Sequence, residues 1–204
     1  MLCYAMRQHY CRDGVKDAMQ RNYKASLRKD FVAVMCGWIR SLFVRVVRVH
    51  ASGEFYNEEY VRKWISIVKA NPRVTFYAYT RSWSDPDTYE ALKELSRLPN
   101  FIMWWSCDRA TGAPPRIKGV RRAYLSVSDA DVPKFKVDLV FRNNPKTVKK
   151  WVKGALVCPA ENGVTETTCS LCQLCFKQNA IPKQKVTDGE NQDRRDRSYQ
   201  LPIA

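Results

Sequence analysis

Two periods of apolar and polar positions alternate along the chain. Phe31, Val34, Met35, Trp38, Ile39 and Leu42 recur at steps of three, one, three, one and three residues, which predicts one core-facing side of a helix from Phe31 to about Leu42. Asp30 stands where an N-cap belongs. The run "VRVVRVH", residues 44–50, is β-branched and is closed by the glycine-containing "ASGEF", so it reads as a strand. A helix over Asn57 to Lys69 follows, with Tyr60, Val61, Trp64, Ile65 and Val68 on one face, and Asn71-Pro72 ends it. Val74 to Thr80 is a second strand. Asp85-Pro86 then opens a helix with Tyr89, Leu92, Leu95 and Leu98 at three-residue spacing, closed by Pro99-Asn100. "FIMWWSC", residues 101–107, is a third strand, with Trp104 and Trp105 on opposite faces.

Strand, helix, strand, helix, strand in short succession predicts parallel pairing with right-handed crossovers. The fold class is α/β, a partial (βα) barrel or an open parallel sheet, because 204 residues fall short of the ~250 usual for a closed eight-stranded barrel. Beyond residue 109, "ATGAPPRIKG" is a loop, "AYLSVS" and "VDLVFR" are strands, and "NPKTVKKWVKGA" is a short basic helix. "LVCP" is a last strand that delivers Cys158. The expected organisation is a loop and helix over 1–30, an α/β domain over 31–180 carrying a cysteine-rich loop at 158–176, and a polar, disordered tail over 181–204.

The thiols change this picture most. Cys169, Cys172 and Cys175 fall three residues apart in "TCSLCQLC", and Cys158 lies eleven positions upstream, stiffened by Pro159. A C-x-x-C-x-x-C run with one remote cysteine is the pattern that wraps a single [4Fe-4S] cluster, with zinc as the alternative. Disulfides suit small secreted domains, and no leader with an apolar h-region opens the sequence. Cys36 lies in "FVAVMCGWI" and reads as core, whereas Cys3 and Cys11 flank a short aromatic stretch and remain open between metal and burial.

Charge narrows the partners. A net charge of +15 draws the chain toward polyanions, of which DNA and RNA, free or on a nucleic-acid-bound host protein, are the commonest in a cell. Lys146, Lys149, Lys150 and Lys153 would share one helical face suited to a phosphate backbone. No apolar run nears the ~20 residues that span a bilayer, so no membrane partner is expected, and the thiols suit a reducing host cytoplasm. Oligomeric state is not legible.

Ligands of parallel sheets bind at the carboxyl ends of the strands. Those ends carry His50, Ser52 and Glu54, then Thr80, Arg81 and Ser82, then Ser106, Cys107 and Asp108, then Ser126, Ser128 and Asp129, then Arg142 and Asn143, and last Cys158. The cysteines are expected at this same rim. His50, Glu54 and Asp108 are the candidate acid-base groups, against the plainer reading of a structural histidine and two helix caps.

Several stretches together, "CYA" at 3–5, "RN" at 21–22, "VRVHASGEFYNEEYVRKW", "PRVTFYAYTRS", "LPN" at 98–100 and "TCSLCQLCF", resemble the phage and plasmid protein family named after mycobacteriophage gene product eighty-eight. The likeness covers most of residues 3–176. It implies a mobile-element protein, cysteine-rich at both ends, with a fold akin to the radical-SAM barrels. Two departures stand out: Glu54 replaces the family's aspartate, and Met1-Leu2 stands where members carry further cysteines. Either the start is truncated or those N-terminal ligands are dispensable. The C-x-x-x-C-x-x-C motif of radical-SAM enzymes is absent, and four cysteines would close every iron. Three readings follow: an iron-sulfur accessory protein with a basic surface, a radical-SAM-like enzyme working through His50, Glu54 and Asp108, or a zinc-stabilised nucleic-acid-binding module.

Overall fold

A computed structural model describes residues 12–128, 130–142, 151–152, 155–160 and 167–177. Helices α1 (Asp13–Leu27) and α2 (Phe31–Ser41) lead into strand β1 (Val46–Val49), helix α3 (Glu58–Ala70) and strand β2 (Thr75–Thr80). A single 3-10 turn (Ser82–Ser84), helix α4 (Pro86–Ser96) and strand β3 (Phe101–Cys107) come next. Strands β4 (Arg121–Ser126), β5 (Leu139–Arg142), β6 (Trp151–Val152) and β7 (Ala155–Val157) and the short helix α5 (Cys169–Cys172) complete the described chain.

The seven strands form one sheet in the order β1-β2-β3-β4-β5-β7-β6. Six of them are parallel, and only β6 runs antiparallel, against β7. The first five strands follow chain order and the last two are exchanged, so the sheet is open, with β1 at one edge and β6 at the other. The two termini expected as loop and tail fall largely outside the described residues, α1 excepted.

Alternation along the strands divides the side chains between two layers. Val49, Phe76, Ala78, Phe101, Met103 and Trp105 pack with α2, α3 and α4 in one cluster. The other face carries Tyr77, Ile102, Trp104, Ala123, Leu139, Leu156 and Cys158, and what covers it is Leu174 with Cys172, Cys175 and Phe176. Trp104 and Trp105 are both fully buried, one in each layer, as the strand pattern predicts.

Local chemistry explains most element ends. Asn57 caps α3 by accepting from the Tyr60 amide at 2.9 Å. Asp85 caps α4 by accepting from Asp87, with Pro86 inside the first turn. Asp30 precedes α2 but makes no cap bond; its carboxylate pairs with Arg28 at 2.8 and 2.5 Å instead.

Three expectations are corrected. The buried side of α2 is Phe31, Cys36 and Ile39, with Val32 and Met35 packed beside them, while Val34, Trp38 and Leu42 point to solvent. The periodic stripe was wider than the contact area, so half of it is left outside. The basic helix over "NPKTVKKWVKGA" is replaced at its end by a hairpin pairing Trp151 with Leu156 and Val152 with Ala155. Lysine-rich helical periodicity gave way there to edge pairing with β7. The fourth strand starts at Arg121, two residues before the apolar run, because Asp138 accepts from the Arg122 amide at 2.8 Å and the Pro114 carbonyl accepts from its guanidinium.

Candidate functional site

Cys158 follows β7 directly, and its amide donates to the Val140 carbonyl at 2.9 Å, so the sheet itself extends to this thiol. Cys169, Cys172 and Cys175 ride on α5 and the turn after it. Thr168 caps that turn through the Leu171 amide, and Gln173 ends it at φ 56°, in the left-handed region that curls the chain back toward the sheet. All four thiols line one small cavity of about 10 Å³, together with Leu139, Pro159, Gln173 and Phe176. None of them is in a disulfide.

The sheet holds this loop by its backbone. Trp104 Nε1 donates to the Cys175 carbonyl at 2.9 Å, and Arg121 donates to the carbonyls of Leu174 and Lys177 at 2.9 and 2.8 Å. The Arg121 guanidinium also lies 5.2 Å from the Trp104 ring centroid, and that of Arg48 lies 5.7 Å from Tyr79. The Tyr79 hydroxyl is buried without a nitrogen or oxygen partner and faces Cys175; burial and then the neighbouring thiol charge hold its pKa well above the ordinary tyrosine value. Burial likewise raises the thiols of Cys172 and Cys175, while the Leu174 amide pulls that of Cys172 back toward thiolate.

The cysteines therefore lie across the sheet face opposite α2, α3 and α4 rather than around the rim where the sequence put them; of the four, Cys158 alone sits at a strand end. Among the described residues, no three His, Cys, Asp or Glu side chains converge closely enough to hold a metal ion. The donor set is one that suits a soft metal or an iron-sulfur centre.

The three acid-base candidates are engaged elsewhere. His50 ends β1 at φ 68°, with Nε2 3.1 Å from the Tyr60 hydroxyl, its ring edge-on to Phe55 and Nδ1 buried without a partner. Burial, and then the charge of Arg48, lower its pKa to about 4. Glu54 reaches from the loop after β1 to the end of β2. It accepts from the Thr80 hydroxyl at 2.5 Å, the Arg81 amide at 2.9 and 3.0 Å and the Ser82 hydroxyl at 3.2 Å. One side of the residue meets solvent, yet the protein atoms around its carboxylate raise the pKa against those hydrogen bonds. Asp108 is buried, accepts at Oδ1 from the amides of Ala110 and Thr111, and has Arg81 Nη1 2.9 Å from Oδ2. Burial opposes its charge, but the Thr111 amide, Arg81 and the Ala110 amide together hold the carboxyl below its ordinary pKa. The Glu54, Arg81 and Asp108 chain thus ties three strand ends together.

Cys107 is fully buried and burial pushes its thiol up to about 12, which makes it inert. Cys36 is core, as expected, and accepts from Asn71 Nδ2 at 3.3 Å. Lys146, Lys149, Lys150 and Lys153, together with Asp129, Asn143, Cys3 and Cys11, lie outside the described residues. Sequence reasoning missed Arg48, Tyr79 and Arg121 as neighbours of the cysteines. Their signal was present: each arginine interrupts a strand on the same alternating face as Tyr77, Tyr79 and Trp104.

The fold and site together define an α/β protein with a mainly parallel open sheet and a cysteine-bearing segment laid over the sheet face opposite α2, α3 and α4. The chain belongs to the Gene product 88 family, whose model matches residues 1–178. It is 24% identical over 194 residues to the Gene 88 protein of Mycobacterium phage L5, an alignment spanning 85% of this chain and 73% of that one. To the Gene 88 protein of Mycobacterium phage D29 it is 23% identical over 144 residues, spanning 64% of this chain and 58% of that one. No solved structure matches it. Among the described residues no helix is long and apolar enough to cross a membrane.

Proposed function

We propose that this chain holds a [4Fe-4S] cluster between Cys158 and the Cys169, Cys172 and Cys175 loop, and serves a phage as a non-catalytic accessory protein whose basic surface meets nucleic acid. The observation that carries this reading is the gathering of four cysteines, none of them in a disulfide, around one cavity against a single sheet face. The C-x-x-C-x-x-C run supplies three ligands and Cys158 the fourth.

The surroundings suit a negatively charged centre. Arg48 and Arg121 stand over rings beside the thiols. A bound cluster supplies one-electron transfer or redox sensing. The chain's own residues position the loop: Trp104 and Arg121 hold its carbonyls, and Leu139, Leu156 and Leu174 keep water from the sheet side. A non-catalytic role is supported by the candidate acids and histidine, each of which is engaged in a structural contact, His50 with Tyr60, Glu54 with Arg81 and Asp108 with Arg81. Lys146, Lys149, Lys150 and Lys153 and the net charge of +15 supply the nucleic-acid side of the reading, in a reducing host cytoplasm.

The test is reconstitution of the full chain with ferrous iron and sulfide under argon, beside Cys158→Ser, Cys169→Ser and Cys172→Ser. A broad visible absorbance in the wild type that weakens or vanishes in every variant supports the cluster. Tight, stoichiometric zinc with no chromophore under the same conditions rejects it in favour of a zinc-stabilised module.

A further inference from the structure

Helix α2 ends in a Schellman turn. The Phe43 amide donates to the Arg40 carbonyl at 3.2 Å and the Val44 amide to the Ile39 carbonyl at 3.1 Å, which places Phe43 at the left-handed position after the helix. Glycine is the ordinary occupant there, because a side chain crowds the backbone at positive φ. Here a phenylalanine takes it at φ 49°, and its ring is 89% exposed. An apolar ring held in water at a strained backbone position serves neither core nor turn.

Phe43 stands in an open groove of about 650 Å³ whose other walls include Arg40, Arg45 and Arg73. All three arginines are exposed, and none makes an ion pair or side-chain hydrogen bond with another described residue. No acidic residue lines the groove. Trp38, 63% exposed, lies on the same helix one turn back. Unpaired guanidinium groups around an exposed ring form the arrangement on which a single strand lays its phosphates and stacks a base.

We propose that this groove, formed by Phe43 with Arg40, Arg45 and Arg73, is a binding site for single-stranded nucleic acid. The inference rests on the nucleic-acid side of the reading above and moves the contact from the lysine segment to the end of α2. An acidic peptide would satisfy the arginines but leave the ring without a flat partner, so nucleic acid fits better.

Fluorescence anisotropy of the full chain with labelled single-stranded DNA, single-stranded RNA and duplex DNA tests it across a salt series. Phe43→Gly suits its backbone position, so it should keep the melting temperature of the wild type or raise it, yet weaken single-strand binding about tenfold, the loss of one stacked base. A combined R40E, R45E and R73E variant should lower affinity more than a hundredfold and flatten the slope of log K against log salt by about 2. The DNA and RNA arms decide which sugar is preferred.

Full-strength binding by both variants overturns the proposal. If a chain with Lys146, Lys149, Lys150 and Lys153 changed to Glu then fails to bind, the nucleic-acid reading survives without this groove. If the wild type binds duplex DNA but no single strand, this proposal fails and the nucleic-acid reading stands; if it binds neither, both fail together. If Phe43→Gly leaves binding intact but converts a dimer to a monomer in light scattering, the ring belongs to a self-interface and the proposal is wrong.

Discussion

His50 sits half-buried with one ring nitrogen on Tyr60 and the other unpartnered, so the neutral form is the one this pocket accepts. Its pKa falls from the ordinary 6.5 to about 4 in the folded chain. Between those values the unfolded chain binds a proton that the folded chain refuses. The His50 contribution to stability is therefore complete above pH ~6.5, is lost as pH falls toward 4, and changes no further below that. With allowance for solvent around the ring, the loss is about 1–2 kcal/mol. Urea midpoints at pH 7 and 4.5 should differ more for the wild type than for His50→Asn, whose side chain tolerates the left-handed backbone; an equal difference would contradict this account. Asp108 poses a second residue-scale question, because it is buried against Arg81 and two amides. Asp108→Asn should cost about 3 kcal/mol in urea unfolding, and Glu54→Gln less, about 1 kcal/mol, since Glu54 is open to solvent on one side. A catalytic reading of these residues would instead expect their removal to be tolerated or stabilising. His50, Glu54 and Asp108 were legible as strand-end polar groups, but not as partners of Tyr60, Thr80 and Arg81, since contacts across ten, twenty-six and twenty-seven residues leave no local pattern.

At the scale of elements, the cysteine loop is held by few contacts for the weight it carries. Trp104→Phe keeps the ring on Tyr79 and Leu174 but removes the donor to the Cys175 carbonyl. It should cost about 1 kcal/mol and speed hydrogen exchange over 167–177 while leaving α3 and α4 unchanged. Equal protection of the loop in wild type and variant would show that the bond does not hold it. Gln173→Gly should be neutral or stabilising at its left-handed turn, and Gln173→Val should lower the melting temperature. The first five strands, α3 and α4 were readable because period-two and period-3.6 runs are bounded there by Asn57, Pro72, Pro86 and Pro99. The inward face of α2 was misjudged, because periodicity names an apolar stripe but not how much of it a neighbour covers. The β6 and β7 hairpin was missed because its two-residue strand lies in a lysine-rich run that also has helical spacing.

For the whole molecule, parallel pairing of the first five strands in chain order leaves one sheet face to α2, α3 and α4 and, among the described residues, the other to the cysteine segment. That division could be foreseen only in part. The thiol spacing and the parallel topology suggested a strand-end site, yet the loop lies flat on aromatic and aliphatic side chains because Leu174 and Phe176 pack there. The family and its mycobacteriophage relatives give the setting. Iron and acid-labile sulfide analysis of the full chain, purified without oxygen beside Cys172→Ser, tests the central claim most directly. The account predicts a brown wild type with about four irons and four sulfides per chain, and a variant that loses most of both. A colourless wild type carrying one zinc, or no metal at all, would contradict it.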